Sequence, residues 1–114
     1  MSVVFVFGSN LAGRHGAGAA RHAVEHWGAI YGQGIGRQGN SYAIPTKHER
    51  IETMSLDAIR PHVLDFLRYA AEHPGDSFLV TAVGCGFAGL EPKDILPMFD
   101  GATENVFLSA KLLT

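Results

Sequence analysis

The feature that most constrains the fold is a continuous apolar run, Val3-Val4-Phe5-Val6-Phe7, that breaks at Gly8-Ser9-Asn10 into a stretch rich in glycine and alanine ending at Ala20. An apolar run without alternation reads as a strand buried on both faces. The small residues that follow read as a tight turn opening a closely packed helix. Glycines let backbone N–H groups approach an anion, and a helix N-terminus adds unpaired donors and the positive end of its dipole. A strand, a glycine turn and a helix in that order commonly build a phosphate site.

The same theme returns in the last third of the chain. Residues 78–83 form a second apolar run, followed by Gly84-Cys85-Gly86-Phe87-Ala88-Gly89 and a helix beginning near Pro92, a residue suited to a first helical position. Between the two units, residues 16–27 place Ala19, Ala20, Ala23, Val24 and Trp27 on one helical face, opposite Arg21, His22, Glu25 and His26. Residues 29–31 read as a short strand, 32–40 as a glycine-rich loop, and 41–44 as a strand that Pro45 stops. An amphipathic helix is predicted over Leu56–Glu72, with Ile59, Val63, Phe66, Leu67 and Ala70 inward. Residues 105–108 read as a last short strand. Strands alternating with helices predict a compact three-layer α/β fold, a mixed and mostly parallel sheet flanked by helices, with ligands at the carboxyl ends of the strands.

Composition excludes several function classes. At 114 residues, 46% of them hydrophobic, the chain makes one domain spanning its whole length. A formal net charge of −2 with no basic tract argues against an extended nucleic-acid backbone as ligand, but leaves room for a nucleotide-sized anion. The lone Cys85 rules out an internal disulfide, and no basic region precedes the first apolar run as a secretion signal requires. No apolar stretch reaches membrane-spanning length. These features predict a cytoplasmic protein without membrane contact; they set no oligomeric state.

Three segments taken in order resemble macrodomains, the ADP-ribose-binding modules: Asn10 with Gly13-Arg14-His15-Gly16-Ala17-Gly18, then Asn40 to Lys47, then Ala82 to Gly89. The nearest likeness is to the branch containing the terminal ADP-ribose protein glycohydrolase, and the chain is also similar to short bacterial and phage proteins. The resemblance implies a macrodomain-like three-layer fold. It implies that Asn10 sits near the distal ribose and that residues 13–18 and 84–89 form two loops around the diphosphate. The lysine matching Lys47 attacks the anomeric carbon in the glycohydrolase branch, chemistry that needs a neutral amine. That branch also uses a loop aspartate as acid or base. Here the matching position is Ala88, so half of the catalytic pair is missing.

The candidate ligand-binding residues are therefore Gly8, Ser9, Asn10, Gly13, Arg14, Gly16, Ala17 and Gly18 in the first unit, with Gly36, Gln38 and Thr46 in the middle segment. The second unit contributes Gly84, Cys85, Gly86, Phe87, Ala88 and Gly89. Lys47 and His15 are the candidate catalytic residues; His15 lies inside the first glycine loop, where an imidazole can donate to phosphate or move a proton. Each has a plainer reading. Asn10 and the glycines serve turns, His15 sits on one, Lys47 is a solvated surface charge or, short of reacting, a phosphate contact, and Cys85 is a small buried residue.

Two further motif matches are set aside. Residues 34–39 fit the dinucleotide fingerprint literally, but the following residues read as strand where that mechanism requires a helix, so a flexible loop over the ligand fits better. His22-Ala23-Val24-Glu25-His26 fits an inverted zinc-protease pattern, yet no third ligand stands out and both histidines fall on the polar helix face, so neither metal nor cofactor is expected. The sequence thus points to binding of ADP-ribose or a related nucleotide diphosphate, with hydrolysis of an ADP-ribosyl bond open. The alternatives are a reader or sequestering module for a nucleotide signal, or another Rossmann-like binder of a phosphoribosyl nucleotide.

Overall fold

The computed structural model describes residues 1–86 and 88–113. Its elements in chain order are β1 (Val3–Asn10), α1 (Gly18–His26), β2 (Gly36–Gln38), β3 (Ser41–Lys47), α2 (Leu56–Glu72), β4 (Ser77–Val80), α3 (Pro92–Ile95), β5 (Val106–Leu108) and α4 (Ala110–Leu113), with a 3-10 turn at Leu96–Phe99. One five-stranded sheet runs β2-β3-β1-β4-β5. β3, β1, β4 and β5 are parallel, and only the short edge strand β2 is antiparallel. The predicted mixed, mostly parallel three-layer α/β architecture is what the chain adopts.

Alternation along the central strand assigns the two faces. Val4 and Val6 point into the larger core with Tyr42, Ile44, Phe78 and Val80, and α2 covers it with Ile59, Val63, Phe66 and Ala70. Ile95, Met98 and Phe99 complete that layer. Phe5 and Phe7 point the other way, onto Ala20 and Ala23 of α1, with Ala43 and Ala29 beside them. α2 begins at a Ser55 cap whose side chain accepts from the Ala58 N–H.

Five expectations are corrected. Residues 29–31 form no strand: the Ile30 N–H is taken by the buried Gln38 side chain at 2.8 Å, and the antiparallel edge strand is β2, within the segment read as an open loop. Residues 34–39 are therefore no flexible cover over a ligand. Pro45 does not stop β3, which continues to Lys47; β2 reaches only to Ala43 in the register, so the missing N–H falls beyond its end. β4 ends at Val80 and is not buried on both faces, because Leu79 is 39% exposed. Within the nine-residue α1, Ala20 and Ala23 are buried whereas Ala19 and Val24 are exposed.

Candidate functional site

β1 lies between β3 and β4, so the chain leaving β1 turns toward one side of the sheet while the chain leaving β4 turns toward the other. α1 packs on one face, and α3 with the 3-10 turn on the opposite face. Segments that part in this way open a crevice at the carboxyl ends of the strands. The crevice is there. A cleft of about 980 Å³ is lined by the end of β1, the first glycine loop, the end of β3 and the segment after β4.

Its floor is where the ends of β1 and β3 meet the glycine loop that follows β4. A Cβ on Gly8 would come 3.1 Å from the Gly84 nitrogen, and one on Gly84, which has a φ of +75°, would come 2.9 Å from Leu90 and 3.4 Å from Thr46. The positive φ of Gly84 favours glycine there, and a side chain at Gly8 would press on the second glycine loop, so glycine at both places suits this close approach. Thr46 is buried and its Oγ1 donates to the Ser9 carbonyl at 3.4 Å.

One wall is the N-terminus of α1. Gly16, Ala17, Gly18, Ala19 and Ala20 all line the cleft; Ala17 is the N-cap, no side chain caps the helix, and its first turn holds no acid. The first N–H groups of a helix have no intrahelical acceptor, so this end offers donors and positive potential to whatever occupies the cleft. Arg14, Lys47 and Lys111 add side-chain charge, and no aspartate or glutamate appears in the lining among the described residues.

Asn10 shapes the first loop. Its Oδ1 accepts from the Arg14 N–H at 2.8 Å and its Nδ2 donates to the Arg14 carbonyl at 3.0 Å, so both ends of the amide clamp residues 10–14. Gly13 does not line the cleft; it has a φ of +71°, and a Cβ there would lie 2.3 Å from the Gly32 carbonyl carbon. Gly13 is the point at which two loops press together.

His15 is also outside the lining and is 2% exposed. Its Nε2 faces two acceptors, the Gln33 carbonyl at 2.8 Å and Gln38 Oε1 at 3.2 Å, and so carries the proton it donates. Gln38 Oε1 accepts from the Ile30 N–H, which fixes that amide's orientation, while Gln38 Nε2 donates to the carbonyls of Gln33 and Gly36. The His15 ring meets Phe7 edge-on at 5.2 Å between centroids. His15 and Gln38 therefore belong to a buried polar cluster that ties residues 30–38 to the first glycine loop.

Of the residues singled out by sequence, Gly8, Ser9, Asn10, Arg14, Gly16, Ala17, Gly18, Thr46, Lys47, Gly84, Cys85, Gly86 and Ala88 come together at the cleft. Gly13, His15, Gly36, Gln38 and Gly89 do not line it, and Phe87 lies outside the described residues. Cys85 is half-buried, its Sγ donates to the Val83 carbonyl at 3.6 Å, and burial raises its thiol above the ordinary range, which holds it protonated. The ring centroids of His22 and His26 lie 4.7 Å apart, but no group of three metal-ligating side chains occurs among the described residues.

The sequence reading missed Tyr31, Ile51, Thr81, Ser109 and Lys111 as lining residues. The signal for Ser109 and Lys111 lay in parallel topology: a residue just past the end of β5 reaches the same sheet edge as those past β1 and β4. Comparison with known proteins gives no match to a family model, a curated protein or a solved structure. No helix of the described residues is long and apolar enough to cross a membrane.

Proposed function

We propose that this protein binds a nucleotide diphosphate of the ADP-ribose type in the cleft at the carboxyl edge of its sheet. The lining carries the reading: Arg14, Lys47, Lys111 and the start of α1 converge, with no carboxylate among the described residues. In a chain of formal net charge −2, an arginine, two lysines and a helix N-terminus gathered on one cleft favour an anion there. A volume of about 980 Å³ exceeds what a lone phosphate fills and suits a ligand with sugar and base attached. The ordered likeness of three segments to macrodomains supports ADP-ribose as the first ligand to offer.

We read the site as a binding module that leaves its ligand intact. Ala88 stands where the resemblance asks for an aspartate, Cys85 is held as a thiol, and no histidine lines the cleft among the described residues. Lys47 favours the second reading, cleavage of an ADP-ribosyl bond, because it does line the cleft. Titration of wild type and Lys47→Ala with ADP-ribose, followed by analysis of the recovered ligand, tests both. Binding weakened about tenfold in the variant, with ligand recovered unchanged from both proteins, supports the module. Turnover of an ADP-ribosylated substrate by wild type that vanishes in Lys47→Ala establishes hydrolysis instead. Binding of a nucleoside monophosphate in preference to ADP-ribose identifies a phosphoribosyl binder.

A further inference from the structure

After β3 the chain folds back on itself over residues 47–53. His48 donates its N–H to the Glu52 carbonyl at 2.8 Å, Ile51 donates to the His48 carbonyl at 3.0 Å, and Lys47 and Thr53 pair as an antiparallel bridge. This is a three-residue hairpin whose last loop position is left-handed, a place ordinarily given to glycine or asparagine. Ile51 occupies it with a φ of 69°, and no other non-glycine among the described residues has a positive φ. A β-branched side chain is among the least suited to that conformation.

The strain sits at the cleft. Ile51 lines it while remaining 41% exposed. The hairpin is anchored at both margins: the Met54 N–H donates to the Thr46 carbonyl at 2.8 Å, and Thr53 Oγ1 donates to the Ala88 carbonyl at 2.9 Å, joining it to the second glycine loop. An unfavourable backbone held by its surroundings, with an apolar side chain at a binding cleft, is the pattern of a residue kept for what it touches.

We infer that Ile51 is the base-contacting residue of the cleft, its strained turn presenting an aliphatic surface to the face of the ligand's nucleobase; this rests on the nucleotide reading above. Phosphates and ribose hydroxyls need polar partners, which the helix N-terminus, the lysines and the glycine loops supply. The face of a base is the largest part of such a ligand whose contact area an aliphatic side chain satisfies. Ile51 therefore discriminates nucleotides from smaller phosphate esters.

The test uses the full chain with ADP-ribose as the probe. Ile51→Gly relieves the backbone and is expected to raise Tm by about 4 °C, while ADP-ribose affinity falls about tenfold. Ile51→Asn, which also accepts the left-handed region, is expected to lose the same affinity. Methyl protons of Ile51 in the wild-type complex should show intermolecular NOEs to adenine H2 or H8. An unchanged affinity in both variants, a Tm that falls in Ile51→Gly, or NOEs from Ile51 to ribose protons alone would each overturn the inference. Wild-type protein that fails to bind ADP-ribose overturns the nucleotide reading itself, a result distinct from normal wild-type binding with indifferent variants.

Discussion

Replacing His15 with alanine separates a structural histidine from a catalytic one. The ring is 2% exposed, donates through Nε2 at 2.8 and 3.2 Å, and packs edge-on against Phe7 at 5.2 Å. Its two acceptors keep other donors after the substitution, since Gln38 Nε2 still reaches the Gln33 carbonyl and the Ile30 N–H still reaches Gln38 Oε1. The loss is therefore one shared hydrogen bond, about 1 kcal/mol, without the added penalty of an orphaned acceptor, and it is partly offset because the substitution also removes Nδ1, a buried nitrogen with no hydrogen-bond partner. The aromatic contact contributes about 0.5–1 kcal/mol. Truncating a buried ring leaves a cavity that brings the expected total to about 3 kcal/mol. For a domain of this size that lowers Tm by roughly 10–20 °C. Urea unfolding of wild type and His15→Ala should show a lower midpoint with an unchanged slope. A loss below about 1 kcal/mol would refute the assignment of His15 to the buried polar cluster.

Two other predictions probe the frame of the site. Gly13→Ala introduces a Cβ 2.3 Å from the Gly32 backbone at a φ of +71°, and should destabilise by about 2–4 kcal/mol in the same urea assay; a neutral result would mean that the two loops do not press together there. Asp76 has its carboxyl held below the usual range by the Ser2 backbone N–H first and then by Arg37, so it contributes stability above the unfolded carboxylate pKa, lost as pH falls through the depressed value. Acid titrations of stability should therefore be shallower in Asp76→Asn than in wild type, and coincident curves would contradict the linkage.

Local pattern made much of the fold legible. The apolar runs located β1 and the start of β4, and the 3.6-residue period of Ile59, Val63, Phe66 and Ala70 located α2 with its inward face. What stayed hidden was set by tertiary partners. The Ile30 N–H is satisfied by a glutamine side chain eight residues away, so a strand-like triplet has no ladder to join. Leu79 and Phe107 stay exposed because α1 packs over Phe5, Phe7 and Ala43 and leaves the β4–β5 side of that face uncovered.

The candidate site divides along the same line. Most of the residues singled out on the chain's own strand–glycine–helix units line the cleft, because close backbone approach leaves a glycine signature, whereas Gly13, His15 and Gly89 lie outside it. Ser109 and Lys111 reach the cleft only through strand order, and Ile51 occupies a conformation that its residue type does not announce. His15 and Gln38 carry functional chemistry by type, yet both are buried and turned toward the protein's own carbonyls.

Calorimetric titration of the wild-type protein with ADP-ribose at low and at high salt measures directly whether the cleft binds such an anion. One ligand per chain is expected at micromolar affinity or tighter, weakening as salt screens Arg14, Lys47 and Lys111. Absence of binding at low salt, or binding unaffected by salt, would contradict a cleft that selects its ligand by converging positive charge.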